Sequence, residues 1–212
     1  MKAVILAGGD VTATDALKNA CRDADLVIAA DSGLRHAAPL GLSPDIVVGD
    51  FDSVTEEVLS SYPDLPRLEH PAEKDLLDLE LALGYAREQG ATTFLIVGGL
   101  GDRFDQSLAA VLIAARWTEG GCDVSLRSGD RAVYLLAQEA TRTLELPSGQ
   151  LFSLLSLAET SVVSLAGAKY PLRAHDLRFG VGLGVSNEVA RSPLTVELKG
   201  GLLALVLEAL SQ

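Results

Sequence analysis

Along the first two thirds of the chain, short unbroken apolar runs alternate with segments whose apolar residues recur every three or four positions. Residues 3–7 form the first run and end at Gly8-Gly9-Asp10; residues 14–21 follow with Leu17, Ala20 and Cys21 on one side. Unbroken runs of this length predict buried strands, and the three-to-four spacing predicts helices. The pair repeats at residues 26–30, closed by Asp31-Ser32-Gly33 ahead of Leu34, Ala37, Ala38 and Leu40, and again at 46–48 with a helix near 55–60. Strand and helix in strict alternation predict a parallel sheet. Residues 92–97 and a long helix through Trp117 continue the series.

After residues 123–126 and 132–136 the pattern changes. The segments 144–146, 151–157, 161–165, 195–198 and 202–207 are short, alternating or β-rich, and they are separated by Pro147-Ser148-Gly149, Gly167, the glycines from 180 to 184 and Gly200-Gly201. Turn formers at that spacing predict a small β-sandwich. The predicted fold class is therefore α/β, a Rossmann-like parallel-sheet domain over residues 1–138 followed by a β-sandwich domain over 139–212.

Three places on this frame carry candidate chemistry. The third strand runs into Gly49-Asp50-Phe51-Asp52-Ser53. In an extended backbone the period of two puts Asp50 and Asp52 on one side and turns Phe51 inward. Two anions held so close call for a cation, and hard oxygen ligands at a strand end suit Mg2+ with substrate phosphates. The alternative is an acidic turn in which Asp50 caps the next helix. Over residues 75–89, at about 100° per residue, Asp75, Asp78 and Ala82 share a face, Leu76, Leu79 and Leu83 another, and Leu77 and Leu81 a third. That helix is apolar on most sides, with carboxylates facing either a site or solvent. Finally, Gly98-Gly99-Leu100-Gly101-Asp102-Arg103-Phe104-Asp105-Gln106 joins a strand to a helix. Such glycines let backbone N–H groups approach an anion. The loop matches neither the dinucleotide nor the Walker pattern. The Arg103 fork suits a phosphate or a neighbouring aspartate equally.

Charge narrows the partners. With 17 Lys and Arg against 29 Asp and Glu, the formal net charge is −12, which argues against a nucleic-acid backbone as ligand. An anionic small ligand would need a metal to invert the local field. Cys21 and Cys122 lie far apart without metal spacing, and His36, His70 and His175 show no ligand pattern. No run reaches membrane-spanning length and the N-terminal apolar run is too short for a signal peptide, so a cytoplasmic protein with buried thiols is expected.

Four stretches together resemble the thiamine pyrophosphokinase family: Ala30-Asp31-Ser32-Gly33, then Pro44 through Ser53, then Glu73-Lys74-Asp75-Leu76-Leu77-Asp78, then Gly98 through Gln106. Gly167-Ala168-Lys169-Tyr170-Pro171-Leu172 and Gly184-Val185-Ser186-Asn187-Glu188 continue the likeness. The resemblance implies transfer of a diphosphoryl group from ATP to the thiamine hydroxyl, leaving AMP, by a homodimer whose active sites are completed across the interface. It implies Asp50, Asp52, Asp75 and Asp78 as the catalytic, Mg2+-binding carboxylates. Asp31, Ser32, Gly33, Ser53, Lys74, Gly99, Gly101, Arg103, Asp105 and Gln106 would surround the nucleotide, and Ser186 and Asn187 the thiamine.

The chain departs from the family pattern where Leu77 replaces a usual threonine and Gln106 a usual histidine. Leu77 donates no hydrogen bond, and Gln106 hydrogen-bonds but does not titrate near neutral pH. Trp117 sits on a first-domain helix, so the tryptophan that eukaryotic relatives stack on thiamine has no counterpart. Asp-x-Asp-x-Val at 50–54 also fits the nucleophile motif of haloacid-dehalogenase phosphatases, which place it on their first strand. A non-catalytic nucleotide- or thiamine-binding module is the other alternative.

Overall fold

Lys2–Leu6 (β1), Leu26–Ala30 (β2), Ile46–Gly49 (β3), Arg67–Glu69 (β4) and Thr93–Val97 (β5) pair in the order β5-β1-β2-β3-β4, all parallel, in the computed structural model. The structure describes residues 1–71 and 75–208; Lys74 lies outside them. β6 (Asp123–Ser128) is the neighbour of β5. Along β1, β2, β3 and β5 nearly every residue is buried, the unbroken apolar signature of a parallel sheet covered on both faces. Chain contacts define two compact units, Met1–Ile113 with Ser125–Gly129, and Ala114–Val124 with Asp130–Gln212.

Two helices of the first unit begin where a side chain caps them. Thr14 accepts from the Leu17 N–H at α1 (Asp15–Cys21), and Thr55 from the Val58 N–H at α3 (Glu56–Ser60). Each satisfies one of the backbone donors that a helix start leaves open. Between them, Asp31–His36 form a 3-10 turn that runs into the short α2 (Ala37–Leu40), closed by Gly41 in the left-handed region.

α4 (Asp78–Glu88) corrects the helix expected from residue 75. Leu77 is extended, with φ −71° and ψ 151°, and the Glu80 carboxylate accepts its N–H at 3.1 Å. Asp75 therefore precedes the helix, and it shares no helical face with Asp78. α5 (Phe104–Glu119) follows the glycine loop after β5. Because the strands are parallel, the segments after β1, β2, β3 and β5 all emerge at one edge of the sheet, where such folds bind ligands.

The second unit is antiparallel. β7 (Arg131–Ala137), β9 (Leu151–Ser156), β12 (Asn187–Glu188) and β14 (Leu202–Leu207) lie in the order β12-β9-β14-β7; β8 (Ala140–Leu144), β10 (Thr160–Ala166), β11 (Leu172–Arg178) and β13 (Leu194–Gly200) lie in the order β11-β10-β13-β8. Tyr134, Phe152, Leu154 and Leu205 from one layer share a core with Val163, Leu165, Val196 and Leu198 from the other. That is a β-sandwich. The strand expected at 144–146 lies earlier, at β8, because Pro147 and the turn at 148–149 stop it. Cys21 and Cys122 are buried thiols. Among the described residues no helix is long and apolar enough to cross a membrane.

Candidate active site

The end of β3 sets the centre of the site. Gly49 packs against Asp31, whose Cβ would stand 3.0 Å from a Cβ added to the glycine. Phe51 then takes φ +63°, a left-handed value unusual for a residue with a side chain. The backbone turns there, so Asp50 and Asp52 are not related by the strand period. The Asp52 N–H donates to Asp50 Oδ1 at 3.1 Å, and Phe51 packs back against Ala29, Leu34 and Val47. The inward aromatic is as expected; the extended spacing is not.

The turn redistributes the carboxylates. One oxygen from each of Asp31, Asp50 and Asp78 lies within 4.8 Å of the others. Asp31, expected around the nucleotide, is thus in the acidic cluster. It is 6% exposed and left-handed, with φ +47°, a geometry that Asp tolerates better than most residues. Its Oδ1 is buried and accepts no hydrogen bond among the described residues. Its Oδ2 lies 2.6 Å from the Ser53 hydroxyl, which is also 2.9 Å from Asp52 Oδ1. Ser53 has one proton, so it serves one carboxylate at a time. Asp52 therefore stands outside the three-carboxylate group and touches it through Ser53 and the Asp50 turn. Asp75, exposed ahead of α4, is not part of the group either.

Beside this cluster a cleft of about 410 Å³ is lined by Gly8, Gly9, Asp10, Asp31, Ser32, Ser53, Leu77, Asp78, Gly98, Gly99, Gly101, Asp102, Arg103 and Gln106, among others. Seven of the residues expected around the nucleotide are in that lining: Asp31, Ser32, Ser53, Gly99, Gly101, Arg103 and Gln106. Gly33 is not. It is buried against β1, where an added Cβ would come 1.9 Å from the Leu6 carbonyl oxygen, so its smallness serves packing. Asp105 is also outside the lining but holds Arg103, accepting from Nε at 3.2 Å and Nη2 at 2.6 Å. The fork keeps the exposed Asp105 carboxyl below its usual range and raises Arg103 in turn. Of the two readings of Arg103, this geometry shows the ion pair.

Gly8, Gly9 and Asp10 are lining residues that the sequence reading treated only as a turn. The signal was present, since Gly8-Gly9 follows β1 as Gly98-Gly99 follows β5. The two loops meet backbone to backbone. Gly9 N–H donates to the Gly98 carbonyl at 3.0 Å, and a Cβ on Gly9 would stand 2.4 Å from that oxygen.

In the second unit Ser186 is exposed with φ +59°, and its N–H donates to Ser153 Oγ at 3.1 Å. Asn187 is 7% exposed and its amide is committed. Oδ1 accepts from the N–H groups of Tyr170 and Glu188, and Nδ2 donates to the Tyr170 carbonyl. Asn187 thus braces the Lys169-Tyr170 turn, beside which the Glu188 carboxylate accepts from Lys169 and raises its pKa.

Comparison with known proteins agrees with this fold. Residues 17–126 match the family described as "Thiamin pyrophosphokinase, catalytic domain", and residues 140–203 match "Thiamin pyrophosphokinase, vitamin B1 binding domain". The thiamine pyrophosphokinase of Bacillus subtilis is 27% identical over 95% of this chain and 96% of its own. A crystal structure of thiamine pyrophosphokinase from Bacillus subtilis superposes with TM-score 0.86 at 26% identity, covering 100% of both chains. Thiamin pyrophosphokinase from Candida albicans shares the fold at TM-score 0.78 and 14% identity, over 98% of this chain and 89% of that one. The phosphatase alternative is not favoured, since its motif here follows the third strand of a sheet that matches these enzymes throughout. With its catalytic-domain match spanning residues 17–126 and its vitamin-binding match following in order, the chain belongs to the thiamin pyrophosphokinase family.

Proposed function

We propose that the protein transfers the β,γ-diphosphoryl group of ATP to the thiamine hydroxyl in a Mg2+-dependent reaction that releases AMP. One observation carries the reading: Asp31, Asp50 and Asp78 converge beside a glycine-walled cleft, and Asp31 Oδ1 is buried without a hydrogen-bond donor among the described residues. Three carboxylates so close repel one another, and a buried acceptor left unmatched is costly. The donor set is all oxygen, which fits Mg2+ and not a thiolate- or imidazole-seeking metal. In this reading Asp31, Asp50 and Asp78 hold the cation, which when bound neutralises the charge on the transferring phosphates.

The remaining residues bind and orient. Gly99 and Gly101 let the backbone approach the phosphates, and Ser32, Ser53 and Gln106 offer hydrogen bonds to them. Arg103 leaves Asp105 for the nucleotide, an exchange that costs little because both partners of the ion pair are open to water. Asp52 steadies Asp50 and Ser53. Asp75 approaches the same nucleotide from the segment ahead of α4, and Lys74 is assigned to it from the sequence alone. The catalysis is positioning and charge neutralisation, with the thiamine oxygen held in line with the β-phosphorus.

Thiamine is taken by Ser186 and the turn that Asn187 braces, in a homodimer whose sites are completed by the second subunit. The exposed apolar side chains Leu151, Leu155, Phe179, Val181, Leu183 and Val185 are those a second subunit would cover. We assign residues 1–138 to nucleotide binding and catalysis, residues 139–212 to thiamine, and the protein to the cytoplasm. Metal binding tests the reading. Mg2+ with a non-hydrolysable ATP analogue should raise the Tm of the wild type and not of Asp31→Asn. An equal rise in both would remove Asp31 from the metal site.

A further inference from the structure

Three consecutive carbonyls on the loop after β1 are each taken by a side chain that does not line the cleft. The Gly8 carbonyl accepts from Arg35 Nη2, the Gly9 carbonyl is 2.8 Å from His36 Nε2, and the Asp10 carbonyl accepts from Ser128 Oγ at 2.7 Å. Gly8, Gly9 and Asp10 themselves line the cleft; Arg35, His36 and Ser128 are not in its lining. Arg35 and His36 come from the 3-10 turn that begins at Asp31, and Ser128 ends β6. Arg35 also lies 3.7 Å from the Asp10 carboxylate.

A peptide unit that turns its C=O one way turns the following N–H the other way; of the three such N–H groups, that of Gly9 is given to the Gly98 carbonyl, so those of Asp10 and Val11 are the ones at issue. Carbonyl oxygens facing the cleft would repel phosphate oxygens, whereas N–H groups there would attract them. We infer that Arg35, His36 and Ser128 are positioning residues for the nucleotide phosphates, fixing the Gly8-Gly9-Asp10 backbone so that its acceptors stay out of the cleft. The inference rests on the cleft being the nucleotide site. His36 is buried, and burial holds its pKa below the ordinary histidine range, so near neutral pH the ring is uncharged and contacts the Gly9 carbonyl as an Nε2–H donor. Because Asp31 starts the same turn, the pinned loop is tied to the acidic cluster through one short element.

Steady-state kinetics on His36→Phe, His36→Gln, Ser128→Ala and Ser128→Thr test this. The Phe and Ala variants remove the donor; Gln and Thr restore one. The expected result is a rise of about tenfold in KM for ATP for His36→Phe and Ser128→Ala, the size of one lost hydrogen bond. KM for thiamine should be unchanged, and the Gln and Thr variants should recover most of the loss. A merely structural role would lower the amount of active protein without splitting the two KM values. Equal KM values for ATP in wild type and both donor-less variants would overturn the inference; an inactive wild type would overturn the functional reading beneath it. Should His36→Phe fail to fold, the Ser128 pair, on a half-exposed side chain, decides alone.

Discussion

Replacing Asp31, Asp50 or Asp78 by Asn should each lower turnover by about 10²–10³-fold, the scale of removing one preorganised electrostatic group. Asp52→Asn should cost about 10–100-fold, as for a group that orients a ligand from outside. Equal losses at Asp50 and Asp52 would contradict this ranking, which follows from the turn at Phe51 and not from sequence spacing. All four aspartates were readable as candidates from their place after β2, after β3 and at the start of α4. Their grouping was not, because it depends on positive φ values at Asp31 and Phe51, which non-glycine residues seldom adopt. His36 adds a pH dependence. Burial, then the neighbouring Arg35 charge, hold its folded pKa down, against the pull of the Gly9 carbonyl, while the unfolded chain titrates near pH 6.5. Its contribution to stability is therefore full above about pH 6.5 and is lost as pH falls from there through the lower folded value. Thermal midpoints from pH 8 to pH 5.5 should fall more steeply for wild type than for His36→Gln; parallel curves would contradict it.

At the scale of elements, Leu77 holds the capping position ahead of α4 and cannot accept from the open N–H groups of the first turn. Leu77→Ser or Leu77→Thr should stabilise the protein by about 0.5–2 kcal/mol, read as a shift of the denaturant midpoint at constant m-value; a lower midpoint would contradict the capping argument. Gly9→Ala would press a methyl group onto the Gly98 carbonyl, where backbone cannot give way easily. It should destabilise by about 1–3 kcal/mol, measured the same way. The buried parallel strands were plain in the sequence because both sheet faces are covered and the runs are unbroken. Leu172–Arg178 was missed as a strand for the opposite reason: β11 is a sheet edge with most residues exposed, so LRAHDLR has no apolar period. The α4 start was misjudged because helical spacing of Asp75 and Asp78 persists in sequence although the backbone at Leu77 is extended.

For the whole molecule, the exposed apolar residues on β9 and on the segment after β11 predict that Leu183→Asp weakens self-association. Light scattering at micromolar concentration should show a dimer in wild type and a lower mass in the variant; a wild-type monomer with full activity would refute the shared site. The α/β and sandwich layers were legible because periodicity changes near the end of β7. The chain's net charge of −12 makes cation-assisted binding of a triphosphate the central physical claim. Phosphorus NMR of purified protein with ATP, Mg2+ and thiamine tests it most directly. The first products should be AMP and thiamine diphosphate, formed about 10²–10³-fold more slowly by Asp50→Asn and not at all without metal. ADP as first product, or phosphate release without thiamine, would contradict it.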